Sequence, residues 1–138
     1  QLVYWMNRDI IDDYPLDLIS PVDWTDETQN INDRVRSYLD VNCGHCHSPT
    51  GNANSTGLYL HLNETRDIHL GVNKKPVATG RGSGGMKYSI VPGKPEESIL
   101  LHRMISLDPG VMMPESGRAL SHTEAVDMVR NWILLMKE

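Results

Sequence analysis

Apolar residues recur at helical spacing in three stretches of this chain and alternate in two others. After Asn30, which can cap a helix, Ile31, Val35, Tyr38, Leu39 and Asn42 fall on one face and lead directly into Cys43, which predicts a helix ending at or just beyond the cysteines. Pro95 suits a first helical position, with Glu96 and Glu97 at the positive end of the dipole. Ile99, Leu100, His102, Arg103 and Met104 follow, predicting a middle helix of about three turns. Ser121 and Glu124 have the spacing of a capping box, and Ala125, Met128, Val129, Trp132, Leu135 and Met136 make one stripe, an amphipathic terminal helix anchored by Trp132. Gly57–Leu62 alternates, with Leu58, Leu60 and Leu62 opposite Tyr59 and His61, as a half-buried strand does; residues 86–91 are a second short candidate strand. Residues 1–29 have no sustained period and are expected to be an extension or linker packed on the domain at 30–138. Trp5 and Trp24 argue against full disorder there.

Composition changes this picture in two ways. The chain has no Phe, and its 3 Trp and 5 Tyr leave the core of 138 residues to Leu, Ile, Val and 7 Met, a deficit that a large flat cofactor would help fill. The net charge of −5 comes from dispersed acids, and the longest basic cluster is the pair Lys74-Lys75, so nucleic-acid binding is not expected. No apolar run approaches the roughly 20 residues needed to span a bilayer, and none resembles a signal-peptide core. Gln1 in first place suggests a trimmed chain or a fragment. Gly80–Gly85 lacks the Gly-Lys-Ser/Thr ending of a phosphate cradle and reads as a flexible loop.

Both cysteines lie in Asn42-Cys-Gly-His-Cys-His47. As Cys43-Gly-His-Cys46 this looks like the active-site tetrad of protein disulfide isomerases. Such a dithiol, however, sits at the start of a helix, where the dipole lowers the thiol pKa, and here a helix precedes it and a Pro/Gly/Asn loop follows. A zinc site needs further Cys or His ligands at suitable spacing, and His61 and His69 lie at no recognised interval. Read one residue further, the motif is a covalent haem-attachment site: two thiols to join the two vinyl groups, and His47 held beside the iron, with His45 pointing away.

The rest of the chain weighs on that choice. Met112-Met113-Pro114 offers a thioether, which pairs with imidazole to favour ferrous iron and suits electron transfer. The other options for the second axial position are Met112 and a histidine: His61, His69, His102 or His122, with His102 the best of these and His122 expected to face solvent. Arg81, Arg103 and Arg118 are the candidate partners of haem propionates, and a carbonyl from Pro49–Leu58 is expected to accept from the second ring nitrogen of His47.

In its order of helix, Cys-x-x-Cys-His, loops, Met-Pro loop and amphipathic helix, the chain from about Asn30 to Glu138 resembles a class I c-type cytochrome. Thr56-Gly-Leu-Tyr-Leu, Ile90–Leu101 and Met113-Pro114 are similar to the cytochrome c modules of multidomain bacterial secreted proteins, including those of planctomycetes. The resemblance implies a mostly α cytochrome c fold with crossing N- and C-terminal helices, a middle helix and a small strand-pair insertion. It implies one covalent haem c on Cys43 and Cys46, with His47 proximal and Met113 distal. The function it implies is one-electron transfer rather than enzymatic catalysis, in the bacterial periplasm or cell exterior after removal of a leader, with a transient redox partner or an attached oxidoreductase domain. The alternatives are a haem enzyme or gas sensor with a labile or absent distal ligand and, further off, a thiol-disulfide oxidoreductase.

Overall fold

The computed structural model describes residues 1–15, 17, 18 and 20–137; Leu16 and Ile19 of the expected extension, and Glu138 at the end of the expected domain, lie outside the described residues. The described chain is mostly helical, and among its residues no sheet forms. Its helices are α1 (Leu2–Met6), α2 (Ile31–Leu39), α3 (Asp67–Leu70), α4 (Ile99–Ile105) and α5 (Thr123–Leu135). None is long and apolar enough to cross a membrane.

Helix α2 begins as its sequence predicts. The Asn30 side chain accepts from the Asn32 amide at 2.8 Å, closing one of the open N–H groups of the first turn. Val35 and Leu39 are fully buried, with Tyr38 nearly so. Beyond Leu39 the backbone continues as one wider π turn, Asp40–Gly44, so the helical path carries through Cys43. Arg36 is also buried, and its guanidinium donates to the carbonyls of His61 and Leu62, while Asp40 accepts from the Leu62 amide. The charged side of α2 thereby fixes the loop that follows the cysteine motif.

Helix α5 packs on both α2 and α4. It buries Ala125, Val126, Met128, Val129, Trp132 and Ile133, and Trp132 donates its indole N–H to the Asn32 side chain on α2 at 3.1 Å. Two details differ from the sequence expectation. Ile133, not Leu135, faces the core: Ile133 is fully buried, whereas Leu135 at the helix end is exposed. No capping box forms: Ser121 donates to the Met104 carbonyl instead, and His122 occupies the cap position without a side-chain bond.

The middle helix is also shorter than expected. A single 3-10 turn, Pro95–Glu97, is separated from α4 by Ser98, whose backbone is extended. Ser98 is fully buried. Its hydroxyl donates to Lys94 O and accepts from Val91 N, and these bonds to the turn just before it compete with a continuous helix.

The expected strand pair does not form among the described residues. Leu60 is buried as the alternation requires, but its amide donates to His47 O and that of Tyr59 to His69 O, so the segment is tied to two loops rather than to a partner strand. Residues 86–91 contribute only isolated bridges, Ile90 with Val72 and Tyr88 with Ser98. The N-terminal segment meets the core through Trp24, which packs edge-on against Tyr38 and His122.

Candidate functional site

The Cys-x-x-Cys-His segment leaves the π turn as a tight loop. Cys46 N and His47 N both donate to the Cys43 carbonyl, Ala53 N returns to Cys46 O at 3.0 Å, and Leu60 N to His47 O at 2.7 Å. Gly51 fits beneath it because it has no side chain: a Cβ there would sit 2.6 Å from the Cys46 carbonyl carbon and 2.8 Å from the His45 oxygen. The loop is therefore held on both sides by backbone bonds, which direct its side chains toward one cavity.

That cavity has a volume of about 870 Å³. Cys43, Cys46 and His47 line one side, and Met113 with Pro114 also faces in from the loop after α4. Leu58, Leu60, Ile99, Leu100, Met104 and Val126 supply apolar walls. Met112, one residue away, is not part of the lining, and the Met113 amide donates to Arg103 O at 3.0 Å, which fixes the loop where Met113 enters. The structure thus brings together four of the residues singled out from sequence, although Cys43 and Met113 lie on separate elements far apart in the chain.

The electrostatics differ between the two chemistries the motif allows. Withdrawal from water, with a smaller contribution from Cys46, pushes the Cys43 thiol up to about 12. A thiol that attacks disulfides needs the opposite shift. Burial also pulls the His47 pKa down, aided by Arg103 and His45, while the Leu58 backbone and Glu115 work against it. A neutral imidazole, the form that ligates metals, is therefore favoured. The Nδ1 atom of His47 is buried and has no hydrogen-bond partner of standard geometry, although the Leu58 backbone, at the end of the segment expected to supply a carbonyl, favours its protonation.

Of the other histidines, His61, His69 and His102 do not line the cavity. His69 faces Glu64 at 3.3 Å, and His102 packs beside Gly84. His122 is exposed, as expected, yet its ring also borders the cavity: its Nδ1 is 3.2 Å from the Tyr38 hydroxyl and its ring stands edge-on to Trp24. This aromatic corner was not legible from the sequence, because His122 and Tyr38 are 84 residues apart and neither carries a motif. Among the three arginines, Arg103 and Arg118 line the cavity, whereas Arg81 is exposed and paired with Asp108 at 2.9 Å. Among the described residues no three His, Cys, Asp or Glu side chains gather as a metal cage.

No protein-family model, curated protein or solved structure matches this chain.

Proposed function

We propose that the chain is a monohaem c-type cytochrome domain that transfers single electrons. The observation that carries this reading is the shared cavity. Two thiols, an imidazole and a thioether line one cavity that also has apolar walls, and the thioether comes from a separate loop, as a site with two ligands to one iron would need. On this reading Cys43 and Cys46 hold the haem through thioether bonds, His47 is the proximal ligand and Met113 the distal one. The residues fit the group: the His47 ring is kept neutral, and its orphaned Nδ1 would remain as a donor toward the Leu58 carbonyl once Nε2 is engaged. The apolar walls take up the flat face that a core without Phe leaves unfilled.

When bound, haem supplies the one-electron chemistry by alternating between ferric and ferrous iron. The chain's part would be to offer His47 and Met113 to the iron and to surround the group with the apolar walls of the cavity. The packing of α2 against α5 through Trp132 agrees with the crossed terminal helices of a cytochrome c fold. The proposal extends to a periplasmic or extracellular setting and to a redox protein or attached oxidoreductase as partner. The raised Cys43 thiol speaks against the disulfide-exchange alternative.

The test is the absorption spectrum of protein expressed with haem-maturation machinery, after acidified-acetone extraction. Haem that stays with the protein, together with the far-red sulfur-to-iron band in the oxidised form, is the expected result. Retained haem without that band would remove Met113 as ligand. An apoprotein from a host that matures other c-type cytochromes would overturn the reading.

A further inference from the structure

We infer that Arg103 is the side chain that grips a carboxylate of the cavity's ligand, which on the reading above is one propionate of the haem, and that the same residue thereby couples the ligand to the loop bearing Met113. The inference rests on that reading and deepens it.

Four cations come into question, and the structure separates them. Arg81 is on the surface and already paired with Asp108. Arg118 lines the cavity, but both its terminal nitrogens are engaged by the end of α4, donating to the carbonyls of Met104 and Ser106, so it acts as a cap for that helix. Lys74 lines the cavity as a flexible point charge with its Nζ over Gly57, and it has no fork to match a carboxylate.

Arg103 is different in every respect. Its Nε donates to Val111 O at 2.8 Å, which fixes the plane of the guanidinium, and among the described residues Nη1 and Nη2 donate to no protein atom. Glu115 acts on it through its charge. Neither Nη is among the buried atoms that lack a partner, so both stay accessible to a ligand. Arg103 lines the cavity, and the paired N–H groups of a guanidinium are the geometry that binds a carboxylate with two bonds.

The Gly80–Gly85 loop explains how the fork is held. A Cβ on the buried Gly82 would come within 3.2 Å of the Arg103 Cζ and 3.3 Å of its Nε and Nη2, so the guanidinium lies flat on a glycine seat. The glycine-rich stretch thus serves a cation rather than a phosphate. Arg103 O in turn accepts from Met113 N, and its Nε holds Val111, so the residue that meets the ligand also fixes the ligand loop at two points.

The experiment uses the haem-loaded protein in its reduced, diamagnetic form. Proton NMR is expected to show contacts between one propionate's methylene protons and the Arg103 side chain. R103Q should shift those propionate resonances and lower the reduction potential, because an uncompensated carboxylate favours ferric iron. R103K should recover part of the potential, while R81Q, at an exposed residue outside the cavity lining, should match wild type in both readouts. Gly82→Ala, which unseats the guanidinium without altering Arg103, should shift the same resonances, and it decides the question if R103Q does not fold. Propionate contacts to Arg118 or Lys74 instead, or wild-type resonances in R103Q and Gly82→Ala, overturn the inference while leaving the haem reading intact. Wild-type protein without haem overturns both.

Discussion

Replacing Gly51 by alanine tests the loop geometry most directly. The added methyl would lie 2.6 Å from the Cys46 carbonyl carbon, against the 3.5–4.0 Å of an ordinary carbon contact, so something must move by roughly 1 Å. The obstacle is backbone, and it cannot shift alone: Cys46 O receives Ala53 N at 3.0 Å, and the next carbonyl, His47 O, receives Leu60 N at 2.7 Å. Overpacking of this kind costs about 1–3 kcal/mol, and weakening one of the two bonds adds about 1 kcal/mol. A total of about 3 kcal/mol corresponds to a fall in melting temperature of roughly 10 °C for a chain of this size. The control is Gly57→Ala. That residue has φ +62° and only the Lys74 side chain nearby, at 3.5 Å, so it meets conformational strain of about 1–2 kcal/mol and no steric block. Thermal unfolding followed by circular dichroism compares the two. A Gly51→Ala protein no less stable than Gly57→Ala would show that the loop is not wedged against Gly51, and the account of how Cys46 and His47 are aimed would fail.

Asn32→Leu leaves the indole N–H of Trp132 without its acceptor at the contact of α2 and α5, and a loss of about 1–3 kcal/mol in urea unfolding is expected. Glu64 accepts bonds from the amides of Thr65 and Arg66 and two from the Arg66 guanidinium, and chiefly the latter holds its carboxyl well below the ordinary range. Its ionised form is the one the fold favours, so its contribution is complete above the unfolded pKa of about 4.3 and is lost as pH falls below it. Glu64→Gln should therefore be less stable at neutral pH and show a shallower acid decline, read as midpoint against pH from 6 down to about 2. On the proposed function, Met113→Ala should lose the far-red band and admit carbon monoxide to the reduced protein, and Met112→Ala should do neither; the reverse pattern would move the distal ligand by one residue.

Periodicity located α2 and α5 because the apolar residues of each recur at helical spacing, although the second half of α2 is buried all round, and the Asn30 cap is a short-range bond between neighbours that spacing alone predicts. It failed where a side chain had a distant alternative. Ser121 has the spacing to cap α5 but bonds to Met104 O, and Ser98 divides the middle helix by bonding across a loop. Alternation at Gly57–Leu62 correctly put Leu60 inside, yet a strand needs a partner, and the amides of Tyr59 and Leu60 go to two different loops. The site followed the same division. Cys43, Cys46 and His47 are adjacent in sequence and were legible as a unit, and Met113 could be nominated by its proline. That Met113 and not Met112 reaches the cavity depends on the bond from its amide to Arg103, ten residues back. The seat that Gly82 makes for Arg103 has no signature in either segment.

The bond from Trp132 to Asn32 spans 100 residues, and it joins the two helices that close the core around the cavity. Such a contact cannot form before α5 has been made, so until then α2 and the cysteine loop after it are without that cover. A chain made from its N-terminus therefore presents Cys43 and Cys46 to solvent while most of its length is still being produced. In the folded chain both cysteines are still partly exposed and line the cavity, so docking of Trp132 narrows that access rather than ending it.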